Sequence, residues 1–198
     1  MVDFHSHILP GIDDGACSVE QAVAMLRQEQ QQGISRVVAT PHFYPRYDTP
    51  ESFLEKRDRA ERELRRAMIG ETGFPGVEIG AEVYYYRGIS ESEALEALTI
   101  RGKGCVLIEL PFGPWDAEVF RELTAIWEKR GIIPVIAHVD RYIAPLRTRG
   151  IPRKLAEMPV MVQANAEFFL NRTTAHLAMN MLKADQIQLI GSDCHNTE

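Results

Sequence analysis

The segment DAEVFRELTAIWEKRGIIPVIAHVDR, residues 116–141, contains the clearest indication of the fold class. Its first half spaces apolar side chains three and four residues apart, as one face of a helix requires, and ends at Gly131. Residues 133–137 then form a short, nearly continuous apolar run, typical of a strand that is buried on both faces. His138 follows directly. The segment therefore predicts a helix and then a buried strand that ends at a polar group.

The same unit recurs along the whole chain. Six further apolar runs predict strands at residues 2–4, 36–39, 77–81, 105–110, 160–163 and 188–191. Helical patterns lie between them, at residues 18–33, 49–66, 91–98 and from about residue 171. Regular alternation of strands and helices predicts an α/β fold with a parallel sheet, in a single domain over residues 1–198. A closed barrel and an open doubly wound sheet both fit this pattern.

Composition excludes several classes of protein. The 198 residues, with 45% hydrophobic and 25% charged residues, suit one domain with a full-sized core. The sequence has no apolar run of the roughly 20 residues that span a bilayer and no basic stretch for nucleic acid, so we expect neither membrane insertion nor nucleic acid binding. The start of the chain lacks a signal-peptide pattern, and three cysteines make a disulfide framework improbable, so a cytoplasmic location is expected. The net charge of −6 fits either a solvated acidic surface or a set of metal-binding carboxylates.

Polar residues of one chemical kind follow almost every predicted strand. Only the sixth strand lacks a histidine or carboxylate directly at its end, and five of the six histidines lie just past apolar runs. His176 is the exception, because it falls inside a predicted helix and is expected at the surface. In parallel α/β folds the carboxyl ends of the strands meet at one face, where active sites gather. We therefore expect nine side chains to converge: His5, His7, Asp14, His42, Glu82, Glu109, His138, Asp193 and His195.

This mixture of side chains is typical of a metal centre. Imidazole and carboxylate together suit Zn, Mn or Fe, and the His5–Ser6–His7 spacing places two imidazoles on the same side of an extended segment. At roughly four or five ligands per ion, nine candidates suit two or three ions. Such sites activate water and hold the oxygens of an in-line displacement, so hydrolysis of a phosphate ester is the predicted reaction. Arg141 is either a phosphate-binding guanidinium or an ordinary surface arginine.

The motifs resemble those of a known superfamily. His5–Ser6–His7, Asp13–Asp14–Gly15, Thr40–Pro41–His42, Gly80–Ala81–Glu82, Glu109, His138–Val139–Asp140–Arg141 and Asp193–Cys194–His195 look like the polymerase and histidinol phosphatase (PHP) superfamily. The order and spacing are most similar to its branch of bacterial manganese-dependent protein-tyrosine phosphatases, which act in capsule and exopolysaccharide control. A carboxylate at Glu109, where histidinol phosphatases tend to have histidine, favours this branch.

The resemblance implies a distorted seven-stranded parallel β/α barrel of the PHP type with two or three divalent ions. Mn²⁺ is the ion that it implies, and Fe or Zn are the alternatives. By position, His5, His7, Glu82 and Asp193 would hold the first metal. Glu82 would bridge to a second held by Glu109 and His138, and a third would be held by Asp14, His42 and His195. Arg141 would act as the catalytic, phosphate-binding residue. The family usually continues past this motif with a further arginine, so its usual C-terminal segment is expected to be missing from residues 1–198.

Three functions remain open from the sequence. The first is a phosphotyrosine phosphatase that acts on the tyrosine-rich tail of a bacterial tyrosine kinase controlling polysaccharide synthesis. The second is a small-molecule phosphomonoesterase such as histidinol phosphatase, and the third is a non-catalytic metal-binding or polymerase-accessory domain. None of Cys17, Cys105 and Cys194 lies in a phosphate-binding loop, so no cysteine nucleophile is expected.

Overall fold

The computed structural model describes residues 1–143 and 150–197. Within these ranges the strands are β1 (Val2–Ser6), β2 (Arg36–Ala39), β3 (His42–Phe43), β4 (Gly76–Ile79), β5 (Glu82–Tyr84), β6 (Cys105–Glu109), β7 (Ile133–Ile136), β8 (Met161–Asn165) and β9 (Leu189–Gly191). The helices are α1 (Val19–Gln31), α2 (Pro50–Ala67), α3 (Leu95–Leu98), α4 (Ala117–Arg130), α5 (Asp140–Ile143), α6 (Ile151–Ala156), α7 (Ala166–Leu170) and α8 (Ala175–Lys183), with a 3₁₀ turn at Ile89–Glu91.

All paired strands are parallel, as the alternating sequence pattern predicts. One sheet has the order β1-β2-β4 and the other the order β3-β5-β6-β7-β8-β9. The described residues contain nine strands where seven were predicted. The two additional strands, β3 and β5, lie just beyond the predicted runs 36–39 and 77–81, and each is separated from the strand before it by two residues.

The two sheets meet and curl. The backbone N–H of Thr40, between β2 and β3, donates to the carbonyl of Ser6 in β1 at 2.9 Å. At the other end of the strand order, Asp193 N–H donates to the carbonyl of His5 at 2.8 Å, and His7 N–H donates to the carbonyl of Cys194 at 2.9 Å. The first strand and the segment after the last strand are therefore neighbours, and the fold is an α/β architecture with curled parallel sheets.

Several helix ends follow the local sequence signals. The Ser18 side chain accepts from the backbone N–H of Gln21 at the start of α1, and Asp116 accepts from two backbone N–H groups at the start of α4. Gly131 ends α4 with φ 65°, a left-handed conformation that glycine adopts without strain. The helix predicted from about residue 171 is wrong in its start, because Asn171 is the C-cap of α7 and α8 begins at Ala175.

An apolar layer supports the face on which the polar strand ends lie. Val38, Leu107, Val135 and Ala137 are buried together among β2, β6 and β7. Leu107 lies two residues before Glu109, so both side chains point to the same side of β6. The apolar layer therefore forms the floor beneath the carboxyl ends of the strands. Among the residues that the structure describes, no helix is long and apolar enough to cross a membrane.

Candidate metal centre

Four of the predicted ligands form the most buried group. His5 and His7, at the end of β1 and just after it, bring their Nε2 atoms to within 3.1 Å of each other. Glu82, the first residue of β5, places Oε2 at 3.1 Å from His5 Nε2 and 3.3 Å from His7 Nε2. Asp193 places Oδ1 at 3.4 Å from His5 Nε2. These are the four residues that the sequence assigned to one ion.

Glu82 also reaches a second group. Its other oxygen, Oε1, lies 2.9 Å from His138 Nε2, and His138 Nε2 lies 3.8 Å from Glu109 Oε1. His42 Nδ1 is 3.0 Å from Glu82 Oε2, so His42, Glu82 and Glu109 also share one small space. Glu82 is thus the central carboxylate, because its two oxygens contact histidines of both groups.

The remaining predicted ligands form a third group at the more open side. Asp14 Oδ1 lies 3.6 Å from His42 Nε2 and 3.5 Å from His195 Nε2. The rings of His7 and His195 stack with centroids 4.0 Å apart. Donor atoms of these four residues all lie within 4.8 Å of one another. The structure therefore brings all nine predicted side chains to one face, while His176 lies exposed on α8 and outside the cluster.

The burial of this cluster fits a site that cations complete. His5, His7, Glu82 and His138 have no exposed surface. Buried polar atoms ordinarily have hydrogen-bond partners, but Glu109 Oε2 and His138 Nδ1 have none among the described residues. A close-packed set of imidazoles and carboxylates with unsatisfied atoms has the donor chemistry of a Mn, Fe or Zn site.

The carboxylates dominate the electrostatics. Burial lowers the pKa of His7, but the hydrogen bonds that its ring donates to Asp13, Asp193 and Glu82 outweigh burial and raise that pKa to about 11. Burial opposes ionisation of Glu82, yet the neighbouring histidines hold its pKa well below the usual range. Burial and the charge of Glu82 together raise the pKa of Glu109. The ionised carboxylates of the cluster therefore stabilise positive charge on the groups beside them.

Two of the candidate ligands adopt unusual backbone conformations. His138 has φ 32° and Asp193 has φ 56°. Positive φ is uncommon outside glycine and occurs where the surrounding structure enforces it, often at functional sites. Among the described residues the only other non-glycine case is Asp185, in the turn after α8. Two of these three strained backbone conformations therefore occur at candidate ligands of the cluster.

Arg141 lies at the edge of the cluster, as the sequence predicts. It belongs to α5, the helical turn directly after His138, and its side chain is 40% exposed. Its Nη2 donates to Asp193 Oδ2, and Asn165 Nδ2 donates to the same oxygen at 2.9 Å. The contact with a candidate ligand was not foreseen. The guanidinium is both anchored to the site and open to solvent.

Sequence reasoning missed the residues that orient the ligands. Asp13 Oδ2 accepts from His7 Nδ1 at 2.8 Å and from the backbone N–H of His42 at 2.9 Å. Gln163 Oε1 accepts from the backbone N–H of His138 at 2.6 Å and lies 3.3 Å from His5 Nδ1. Gln163 is on β8, whose predicted counterpart was the one strand without a histidine or carboxylate at its end. The amide side chain of Gln163 at the end of that predicted strand was the sequence signal that could have identified this orienting residue.

Known proteins share both the sequence and this fold. A family model for CpsB/CapC proteins of capsular polysaccharide synthesis matches residues 1–198. Tyrosine-protein phosphatase CpsB of Streptococcus pneumoniae is 29% identical over 208 residues, covering 100% of this chain and 84% of that protein. Tyrosine-protein phosphatase YwqE of Bacillus subtilis (strain 168) is 30% identical over 208 residues, covering 100% of this chain and 78% of YwqE.

The solved structures agree with these relatives. A structure from a study of B. subtilis YwqE and S. pneumoniae CpsB, described there as unique metal-dependent tyrosine phosphatases, matches with a TM-score of 0.84 and 26% identity. The match covers 100% of this chain and 81% of the other. The resemblance predicted from the sequence is therefore confirmed. The chain belongs to the CpsB/CapC family of capsular polysaccharide synthesis.

Proposed function

We propose that this protein is a metal-dependent protein-tyrosine phosphatase. The observation that carries the proposal is the convergence of nine imidazole and carboxylate side chains around Glu82. The named relatives are tyrosine-protein phosphatases, and the solved structure is described as that of metal-dependent tyrosine phosphatases, which fits such a cluster. Histidinol phosphatase activity is the alternative within the same chemistry.

Two or three divalent ions, with Mn²⁺ preferred, would be held by three overlapping sets of side chains. His5, His7, Glu82 and Asp193 would hold the first, and Glu82, Glu109 and His138 the second. Asp14, His42 and His195 would hold the third, with His7 close by. When bound, such ions supply Lewis-acid activation of water and neutralise the charge of the phosphoryl group.

The chain's own residues have separate tasks in this reaction. Arg141 binds an outward phosphate oxygen through its planar guanidinium, which a monoester with about two negative charges requires. Asp13 and Gln163 orient His7, His5 and the backbone of His138. No cysteine has the setting of a nucleophile. Burial raises the pKa of the Cys105 and Cys194 thiols, and Cys17 lies at the surface before α1.

The finer features of the fold and the substrate belong to the same proposal. The nine strand segments correspond to a distorted seven-stranded barrel of one domain if β2 with β3, and β4 with β5, each count as one interrupted strand. The meeting of β1 with the segment after β9 supports this description.

The substrate would be the phosphorylated tyrosine-rich tail of a bacterial tyrosine kinase in the cytoplasm, consistent with the capsular polysaccharide family.

Substrate competition tests the function. Mn²⁺-loaded protein should release phosphate from a phosphotyrosine peptide with a kcat/KM well above that for histidinol phosphate. The variant Glu109→Gln, which keeps the shape but loses a charged candidate ligand, should lose most of this activity without a matching loss of melting temperature. Preferred turnover of histidinol phosphate would replace the proposal with the alternative. Absence of both activities would leave a non-catalytic metal-binding domain.

A further inference from the structure

Aromatic side chains form a wall directly above the candidate metal centre. In the parallel pairing of β3 with β5, His42 lies opposite Glu82. Tyr44 and Tyr84 come two residues later on each chain, so they lie on the same side as those ligands and about 7 Å further along the strand direction. The Tyr44 ring stacks on His42 with centroids 5.0 Å apart, and it lies 5.7 Å from the ring of Tyr84. The wall is therefore continuous with the site.

This wall belongs to a cavity that is connected to the metal centre. We call it the aromatic cleft; its volume is about 580 Å³, and it is lined by Tyr44, Pro45, Arg46, Tyr47, Tyr84, Tyr85 and Tyr86. A second cavity of about 390 Å³ is lined by Asp13, Asp14 and His42 and shares Tyr44 and Tyr47 with the first. Both volumes are in the range of small-ligand sites. The two cavities therefore meet at a boundary of two tyrosine rings.

We propose that the aromatic cleft binds the phenyl ring of the substrate's phosphotyrosine and makes the enzyme selective for aryl phosphates. The inference rests on the proposed function and deepens it, because it names the residues that recognise the ring. With the phosphate at the metal centre, the ring of a phosphotyrosine extends to the height of Tyr44 and Tyr84. A phosphoserine side chain has no ring to place there.

The lining has the chemistry that this occupant requires. Aromatic rings associate in offset or edge-to-face pairs, and Tyr44 already makes such contacts with Tyr47 and Tyr84. Tyr47 is 80% exposed, so its ring has a face available to a ligand. The Arg46 guanidinium lies 5.9 Å from the centre of the Tyr47 ring, which puts a positive charge at the rim. A substrate peptide with acidic residues beside the tyrosine would complement it.

The test compares ligands that differ only in the ring. Phenylphosphonate and methylphosphonate carry the same phosphorus group and are not hydrolysed, so their affinities for Mn²⁺-loaded protein can be measured by calorimetry. The variants are Tyr47→Leu and Tyr84→Leu, with Tyr47→Phe and Tyr84→Phe as matched controls. Leucine keeps apolar bulk without a ring, whereas phenylalanine keeps the ring and loses only the hydroxyl. Glucose 6-phosphate serves as the probe for a carbohydrate occupant.

We expect wild type to bind phenylphosphonate about tenfold more tightly than methylphosphonate. Each leucine variant should reduce this preference roughly threefold to tenfold, the range for loss of one aromatic pair, and the phenylalanine variants should keep it. Equal affinity for the two phosphonates in wild type, an unchanged preference in the leucine variants, or tighter binding of glucose 6-phosphate would overturn the inference. If the ring preference behaves as expected but phosphotyrosine peptide is not hydrolysed, the aromatic cleft stands and the proposed function fails.

Discussion

At the scale of single residues, the site depends on side chains that are not themselves candidate ligands. Asp13 is the clearest example, since one of its oxygens accepts from His7 Nδ1 and from the backbone of His42, and the other accepts from the backbone N–H of Gly15 at 3.0 Å. A carboxylate in this position fixes the tautomer and orientation of a metal-binding imidazole. The strand pattern placed the pair Asp13–Asp14 near the candidate ligands, and the family resemblance implied Asp14 as the ligand, but the orienting role of Asp13 depends on side-chain direction and was not predicted.

The variant Asp13→Asn tests this positioning role. Asparagine keeps the size but replaces one accepting oxygen with an NH₂ group, so it cannot accept from all three donors. We expect Mn²⁺ affinity to fall about 10- to 100-fold, the usual effect of losing a partner of a metal ligand. Titration calorimetry with Mn²⁺ measures the affinity, and Asp185→Asn, in an exposed turn outside the cluster, is the control. Wild-type affinity in Asp13→Asn would mean that His7 is oriented by other contacts.

Arg141 provides a second prediction at this scale. Hydrogen bonds to charged groups are worth about 1.5–3 kcal/mol, so Arg141→Ala should lower kcat/KM for phosphotyrosine peptide about 10- to 100-fold. Arg141→Lys keeps the charge but loses the planar fork and should give an intermediate value. Metal content should change little, because Asn165 also donates to Asp193.

Steady-state kinetics, with metal content measured on the same samples, decides between the roles of Arg141. Arg153→Ala, whose side chain is 85% exposed, is a suitable control. An Arg141→Ala variant with unchanged kcat/KM would identify Arg141 as an ordinary surface arginine. A loss of bound metal in that variant would instead assign its effect to Asp193.

At the scale of secondary structure, the long helices and most strands followed from the sequence, and so did the short helix α3 within the predicted range 91–98, but other short helices did not. The stripe of Val119, Leu123 and Ile126 predicted α4, and these side chains are buried. The helices α5 and α6 have four and six residues, too few to create a repeating apolar stripe, and the sequence did not predict them. The sequence also did not predict the interruptions between β2 and β3 and between β4 and β5, for a different reason. They depend on hydrogen bonds to neighbouring strands, which no local pattern encodes.

The packing of α1 on β1 brings two carboxyl groups together. Glu29 of α1 is buried beside Asp3 of β1, which already accepts from Ser192 N at 2.7 Å and Ser192 Oγ at 2.6 Å. Burial, and then the nearby Asp3, raise the pKa of Glu29 from 4.5 to about 7. Burial raises the pKa of Asp3 as well, but Asp3 has its own donors, so Glu29 is the group that takes up a proton first as the pH falls.

This pair predicts a pH dependence of stability. At low pH the carboxyl group of Glu29 is protonated in both the folded and the unfolded protein, so its raised pKa does not change the free energy of unfolding. As the pH rises through about 5 to 7, the group ionises more readily in the unfolded protein, and the folded state becomes less stable. Glu29→Gln cannot ionise, so the variant should melt above wild type at pH 8.5 and close to wild type at pH 5. A gain of about 2–4 °C is expected for each kcal/mol in a domain of this size.

Thermal unfolding of wild type and Glu29→Gln at the two pH values checks the prediction. Glu63→Gln, at an exposed position of α2, controls for loss of a surface charge. An equal difference between wild type and Glu29→Gln at both pH values would show that Glu29 is not the titrating group.

At the scale of the whole molecule, the candidate site is a product of topology. Its nine residues extend from His5 to His195, and none of the three groups comes from a single local segment. The sequence located them because each follows an apolar strand, and parallel strands bring their carboxyl ends to one face. The strand pattern could not give the closeness of the groups, which depends on how tightly the sheets curl, and the bridging position of Glu82 was implied only by the family resemblance. The sequence also did not predict the aromatic cleft, because Tyr44 and Tyr84 become neighbours only through the pairing of β3 with β5.

We propose that these side chains together hold the divalent ions that the phosphatase reaction requires. The most direct test measures hydrolysis of a phosphotyrosine peptide by protein that has been stripped with a chelator and then titrated with Mn²⁺, with bound metal determined at each point. We predict no activity after stripping and full recovery at two or three equivalents of Mn²⁺, unchanged when the three cysteines are alkylated. Activity that survives stripping, or that alkylation abolishes while metal remains bound, would contradict the account.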